Sequence, residues 1–148
     1  MASSDASTIR VRDALEAIAL GTVAITTRAL AASGVELTFP QWRVLVIVGG
    51  NPDGASVSEI AERLGAEISP VSRLVSRMIR SGLVSTEKDG RDRRVTRVFV
   101  TDRGLAIRET VFARRRDEFT NVLAVVGPID SPGEDALQRV GRALGRYT

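Results

Sequence analysis

The sequence predicts a mainly α-helical protein with a small β-wing, meaning a short β-hairpin. Six segments place apolar residues at helical spacing, several of them begin with helix-capping residues, and one stretch changes to the composition of strands. The predicted order is α-α-α-α-β-β-α-α. A chain of 148 residues with 43% hydrophobic and 26% charged residues is typical of one soluble globular domain, which we predict over residues 1–148.

The first two helices are predicted from apolar spacing and from the residues that end them. Residues 8–32 place Ile, Leu and Thr side chains on one face, and Gly34 is a suitable stop. A second helix is predicted over about 40–48, with Pro40 near its start. The Gly-Asn-Pro-rich residues 49–54 that follow predict a loop.

The third and fourth helices are predicted from their capping signals. Ser56 and Glu59 make a Ser-x-x-Glu capping box, and Gly65 is the expected end of that helix. Ser69 followed by Pro70 predicts an N-cap and a proline in the first helical position of the fourth helix. A short turn between two such helices has the spacing of a helix-turn-helix.

The hairpin and the last two helices complete the pattern. Residues 83–86 and 95–101 are rich in Val, Thr and Phe and flank a charged, Gly-containing connection, which predicts two strands. Thr101 is the expected cap of a long helix reaching about Val125. Residues 131–134 form a second capping box, predicted to open a last helix that runs to about Tyr147.

Composition excludes several classes of function. The chain has no cysteine and no histidine, so it lacks thiolate nucleophiles, disulfides, histidine bases and the usual zinc ligands. Gly49 and Gly50 lack the Lys-Ser/Thr of a phosphate-binding loop. We therefore predict no enzyme, no metal and no cofactor. The apolar stretches fall short of a membrane span and residues 1–7 do not resemble a signal peptide, so we expect a cytoplasmic protein without membrane contact.

The fourth helix is predicted to have two chemically distinct faces. At 100° per residue, Arg73, Arg77 and Arg80 fall within an arc of about 60°. Serines lie beside them: Ser69, Ser72 and Ser76. Apolar residues occupy the opposite face: Val71, Leu74, Val75, Met78 and Ile79. An apolar face against the core and an arginine face outward suit a helix that enters the major groove of DNA, although a solvated surface helix has the same pattern.

Positive charge is concentrated in the fourth helix and the hairpin. Residues 63–97 contain nine basic and four acidic residues, a local charge of +5. The whole chain carries +3, so the remaining residues carry −2. This local excess predicts a surface for double-stranded DNA.

Four segments together resemble the MarR (multiple antibiotic resistance regulator) family. They are residues 56–64 (SVSEIAERL), 69–75 (SPVSRLV), 81–84 (SGLV) and 92–101 (DRRVTRVFVT). The last fits the family's wing pattern, in which Asp-x-Arg leads into an apolar strand and a Thr cap. The element order is similar to the family's over nearly the whole chain.

The resemblance implies a homodimeric transcriptional regulator, and we expect a repressor. Residues 36–101 would form the winged helix-turn-helix lobe, and residues 8–33 and 102–147 the intertwined dimerisation helices. Two recognition helices would lie about 34 Å apart on a near-palindromic operator. The predicted DNA-binding residues are Ser69, Pro70, Val71, Ser72, Arg73, Ser76, Arg77, Arg80, Arg91, Arg93 and Arg94. Arg94 would enter the minor groove, and Asp92 would orient a wing arginine because phosphates repel a carboxylate.

One segment departs from the family pattern. Many members carry an arginine near the start of the wing, where residues 85–87 read Ser-Thr-Glu. The change replaces a positive charge by a negative one and puts a phosphate contact there in doubt.

The resemblance also implies either a small-molecule effector, in this family often an aromatic acid or phenol, or no effector at all. Phe39, Trp42 and Arg43 are the candidate pocket residues, with Arg43 pairing a carboxylate. The alternative, which we favour, is that the two aromatic residues pack in the core or in a dimer contact and that Arg43 is a surface charge. For the whole protein, the alternative function is a winged-helix protein-interaction module, although charged residues are depleted from the cores of such interfaces.

Overall fold

The computed structural model describes residues 2–90 and 92–145. Six helices and three strands make up this part of the chain. The elements are α1 (Ala2–Ala31), α2 (Phe39–Gly49), β1 (Ala55–Ser56), α3 (Val57–Leu64), α4 (Ile68–Arg80), β2 (Val84–Lys88), β3 (Thr96–Val100), α5 (Asp102–Val126) and α6 (Ser131–Leu144). The predicted mainly α-helical fold with a β-wing is confirmed. The predicted end of the last helix at Tyr147 lies outside the described residues.

A two-residue strand, β1, is present that the sequence did not predict. The sheet order is β1-β3-β2, and both pairings are antiparallel. Ala55 pairs with Val98 across β1 and β3. A strand this short has no periodicity of its own, because its conformation depends on a partner strand some forty residues away in sequence.

Several predicted helix boundaries are confirmed. The Ser56 hydroxyl accepts from the Glu59 N–H, and the Glu59 carboxylate accepts from the Ser56 N–H, so the predicted capping box opens α3. Gly65 ends α3 in the left-handed conformation, with φ of 65°. Thr101 caps α5 by accepting from the Gly104 N–H. These signals work because they satisfy free backbone groups within a few residues of the helix end.

Four predicted helix starts are wrong: α1 begins at Ala2, six residues before the expected start, and three other starts differ by one or two residues. Helix α4 begins at Ile68 after Glu67, so Ser69 is not its N-cap. Pro70 still fits because the first-turn N–H groups lack intrahelical partners. The N-cap of α6 is Asp130 rather than Ser131, since the Asp130 carboxylate accepts from the Gly133 N–H. Helix α2 is capped by a Thr38 box that the sequence analysis missed.

Most of the core lies in the segment from α2 to β3, which we call the winged lobe (residues 39–100). Its helices and sheet enclose a cluster of aliphatic side chains joined by one tryptophan. The largest fully buried members are Leu45, Ile47, Ile60, Met78, Val44, Val48, Val84, Val98 and Val111, the last contributed by α5. This cluster fixes α3 and α4 against the sheet and so positions the exposed face of α4.

Helices α1, α5 and α6, which we call the helical frame, bury a much smaller share of their side chains than the winged lobe does. No residue of α6 is buried, and apolar side chains of α1 such as Ile18 and Leu20 are more than half exposed. The segment Ser7–Ala31 has the length and mean hydropathy (1.4) of a membrane-spanning helix, with only 17% of its apolar window buried. The expectation that every apolar stretch is too short was therefore wrong, because many small residues raise the average without a run of large apolar side chains.

Candidate nucleic-acid interface

The two predicted faces of α4 are present. Val71, Leu74, Val75 and Met78 are buried in the core. The outward side chains are those of Ser69, Pro70, Ser72, Arg73, Ser76, Arg77 and Arg80, all exposed. The arginine and serine groups therefore form one continuous exposed strip on a helix whose opposite side is anchored.

Two residues of α4 depart from their predicted places. Val71 was expected among the base-reading residues, but its side chain is only 2% exposed and packs in the core. It therefore has no side-chain surface to offer a base edge. Ile79 was placed on the buried face and is 39% exposed, because it lies at the edge of that face near the helix end.

The C-terminal end of α4 is tied to the start of α5. The Thr101 hydroxyl donates to the Gly82 carbonyl at 2.7 Å, and Arg103 donates to the Ser81 carbonyl at 3.1 Å. Gly104 packs so closely that an added Cβ would lie 2.1 Å from the Leu83 carbonyl oxygen. Helix α4 is thereby held to the helical frame as well as to the core.

The wing presents one arginine held by a carboxylate. Arg94 Nε and Nη2 donate to the two Asp92 oxygens at 3.1 and 3.2 Å, while the Arg94 side chain is 91% exposed. These hydrogen bonds from Arg94 hold the pKa of Asp92 below its usual value. The geometry agrees with the predicted orienting role of Asp92. Arg93 is exposed beside it, and Arg91 lies outside the described residues.

At the base of the wing lies an ion-pair cluster that sequence reasoning missed. Arg97 Nε donates to Asp89 at 2.7 Å, and its Nη1 donates to Glu59 at 3.3 Å and to the Gly54 carbonyl at 3.2 Å. The Asp89 hydrogen bond raises the pKa of Arg97. The hydrogen bond from the Ser56 backbone is the main cause of the lowered pKa of Glu59. Thirty-eight residues separate Glu59 from Arg97, so no local pattern could have joined them.

The predicted effector residues are only partly brought together. Phe39 and Arg43 line a groove of about 630 Å³ between α2 and α4, together with Pro70, Leu74 and Arg77. Arg43 also donates to the Arg63 carbonyl at 2.9 Å. Predicted pocket residue Trp42 does not line this groove.

Trp42 belongs to the core, as the favoured alternative held. Its side chain is 2% exposed, and its ring meets that of Phe112 edge to face with 4.9 Å between centroids. Inclusion of Trp42 in a pocket was therefore wrong, because α5 covers it.

A helix pair that presents an arginine face, followed by a hairpin with an exposed tip arginine, defines a winged helix-turn-helix protein. Residues 35–95 match the model described as MarR family. These residues are thus similar to that family, as the sequence motifs predicted.

Individual relatives agree with this assignment. The chain is 41% identical over 71 residues to the HTH-type transcriptional repressor IacR of Pseudomonas putida, covering 48% of this chain and 42% of that protein. The chain thus spans less than half of that relative's length. Its structure is similar to RV1404 from Mycobacterium tuberculosis, with a TM-score of 0.80, 27% identity, and coverage of 91% and 92% of the two chains.

A second similar structure carries a ligand. CouR from Rhodococcus jostii RHA1, bound to p-coumaroyl-CoA, gives a TM-score of 0.70 at 19% identity and covers 90% of both chains. At this identity the likeness supports the shared fold alone.

Proposed function

We propose that this protein is a sequence-specific DNA-binding transcriptional regulator that acts in the cytoplasm, most simply as a repressor. The observation that carries the proposal is the exposed serine and arginine strip of α4 beside a wing arginine that a carboxylate holds in place. Residues 63–97 carry a charge of +5 while the rest of the chain carries −2, which favours the phosphate backbone as partner. The similarity to the repressor IacR supports the same function.

Each part of the surface has a distinct role in this proposal. Ser69, Pro70 and Ser72, at the N-terminal part of α4, read base edges in the major groove, and Arg73 joins them. Arg77 and Arg80 further along hold phosphates and set the register, with Ser76 alongside. Arg94 enters the minor groove, and Arg91 and Arg93 share phosphate contacts.

We propose further that two copies of the chain act together through the helical frame. Apolar side chains stay exposed on α1, α5 and α6, including Ile18, Val122 and Leu137. A groove of about 700 Å³ lies between α1 and α6, and half of its ten lining residues are Leu, Ile or Val. Exposed apolar faces of this extent are typical of interfaces, and a dimer would match a near-palindromic operator.

A small aromatic acid is the effector class that the α2–α4 groove fits. Its floor is apolar, and Arg43 and Arg77 supply positive charge for a carboxylate. A ligand there would contact Arg77, which we assign to phosphate binding, so binding of the ligand would compete with DNA.

A gel-shift titration tests the proposed function. The probe is the duplex upstream of the protein's own gene, the control is a random duplex, and both are titrated between 50 and 200 mM salt, a range over which proteins with several phosphate contacts lose about 10³-fold or more in affinity. We expect selective binding with a steep loss of affinity in salt. Equal, weak binding to both duplexes at every salt concentration would contradict the proposal.

A further inference from the structure

A continuous chain of polar contacts joins the start of α3 to the exposed wing arginine. It begins at Glu59, which accepts from the Ser56 N–H at 2.6 Å and from Arg97 at 3.3 Å. Arg97 donates to one oxygen of Asp89 at 2.7 Å, and the other oxygen accepts from the Asp92 N–H at 3.2 Å. Asp92 then holds Arg94 through both of its oxygens.

Asp89 is the unexpected member of this chain. A carboxylate in the basic lobe opposes phosphate binding, so it weakens DNA affinity unless it does something else. Its side chain is only 16% exposed and lies against Arg97. Glu87, two residues away on the same hairpin, is exposed and forms no ion pair with any residue in the described part of the chain.

Arg97 is suited to join three elements at once. Its planar guanidinium group directs Nε toward Asp89 in the wing and Nη1 toward both Gly54 and Glu59. Lysine has one nitrogen on a flexible stem and cannot reproduce this arrangement. The Arg97 side chain is about three-quarters covered, so it offers less of itself to DNA than Arg94 does.

We propose that Arg97 and Asp89 form a clamp that positions the wing tip against α3, so that Arg94 is aimed at the DNA without Arg97 touching it. Both are positioning residues, and the proposal rests on the proposed DNA-binding function. Since partly exposed ion pairs add little to folding stability, the consequence of the clamp lies in the placement of Arg94. Its loss weakens DNA binding while the fold remains.

Two matched carboxylate substitutions test the clamp, because charge and positioning predict opposite signs. Both Asp89→Asn and Glu87→Gln remove one negative charge from the same hairpin. Glu87→Gln should bind operator DNA as tightly as wild type or up to about threefold tighter, because a repulsive charge is gone. Asp89→Asn should bind about tenfold more weakly. Asp89→Asn binding as tightly as Glu87→Gln would overturn the clamp.

A double-mutant cycle separates positioning from direct contact. Arg97→Lys keeps the charge and, if the clamp holds, weakens binding with an unchanged salt slope, whereas Arg116→Lys on α5 serves as the control that leaves binding alone. In the Arg97→Lys background, adding Arg94→Ala should cost far less than it does in wild type. Fully additive losses would show that Arg97 acts independently of Arg94 and would refute the proposal.

Amide hydrogen exchange tests the clamp without DNA. The Asp89 and Val95 N–H groups bond within the wing tip, to the Val95 and Asp92 carbonyls. Asp89→Asn and Arg97→Lys should speed exchange at these amides at least severalfold while core amides stay protected. Unchanged exchange at the wing amides would overturn the clamp, even if the protein bound DNA. Faster exchange at these amides in a protein that does not bind DNA would support the clamp and contradict only the proposed function.

Discussion

The winged lobe and the helical frame differ in how much of their apolar surface is buried within one chain. The lobe holds most of the buried core, with Leu45 and Ile60 fully buried, and the frame adds a few members such as Leu30 and Val111. The frame leaves large apolar side chains in solvent along α1, α5 and α6. The difference indicates that burial within one chain is concentrated in the lobe, whereas the frame presents an apolar surface typical of an interface.

The largest expected effect comes from a large-to-small substitution in the core of the lobe. Leu45→Ala should lower the free energy of unfolding by about 2–5 kcal/mol, because it removes a fully buried side chain and leaves a cavity. Urea unfolding followed by circular dichroism measures this. A loss below about 1 kcal/mol would mean that the core is not as tightly closed as described.

A leucine-to-alanine substitution in the frame should weaken dimerisation rather than folding. Leu137 is 48% exposed in the single chain, so Leu137→Ala should weaken dimerisation by about 1.5–3 kcal/mol per buried side chain, provided a second copy covers it. Sedimentation across a dilution series measures the dissociation constant. An unchanged constant would place the interface elsewhere, and a concentration-independent monomer would reject the dimer.

Removing the wing arginine separates DNA affinity from folding stability within the lobe. Arg94→Ala should weaken operator binding by about 1–3 kcal/mol while leaving stability nearly unchanged, because the side chain is exposed and its partner Asp92 is exposed too. Fluorescence anisotropy with labelled operator measures the affinity. Operator affinity equal to that of wild type would refute the wing's role.

A phosphate-holding arginine should change the salt dependence more than the specificity. Arg80→Ala is expected to weaken binding to operator and random duplex by the same factor. It should also reduce the slope of log affinity against log salt by about one for each chain on the DNA. A loss confined to the operator would instead assign Arg80 to base reading.

The smallest expected effect is that of pH. The pKa values of Glu59 and Asp92 are lowered and the chain has no histidine, so neither carboxylate changes charge between pH 6 and 8. Carboxylates with lowered pKa values stabilise the fold above their unfolded pKa, and that contribution is lost only as pH falls through the lower folded value. Operator affinity at constant salt should therefore be flat from pH 6 to 8, and a tenfold change would contradict these assignments.

Sequence reasoning succeeded where the determining contacts are local. The Ser56 box, the Gly65 stop and the two-faced α4 depend on residues within a few positions of one another, so spacing reveals them. It failed where partners are distant in sequence. Trp42 is removed from the groove by Phe112 of α5, and β1 exists only because β3 pairs with it.

The site shows the same division. The arc of arginines on α4 follows from helical geometry alone, and the Asp92–Arg94 pair was anticipated through the family motif. The error at Val71 arose because a contiguous run was assigned to base reading, although the helical wheel had already placed that side chain on the buried face. The clamp through Arg97 depends on the sheet register, which sets Ser56 opposite Arg97 and so brings α3 within reach.

The stoichiometry of the protein–DNA complex tests the central claim most directly, because it depends both on DNA binding by the lobe and on dimerisation through the frame. Sedimentation equilibrium of the protein with a duplex selected by gel shift gives the mass of the bound species. The account predicts two chains on each duplex, bound selectively over random DNA. A single chain per duplex, or a complex that forms equally well on random DNA, would contradict it.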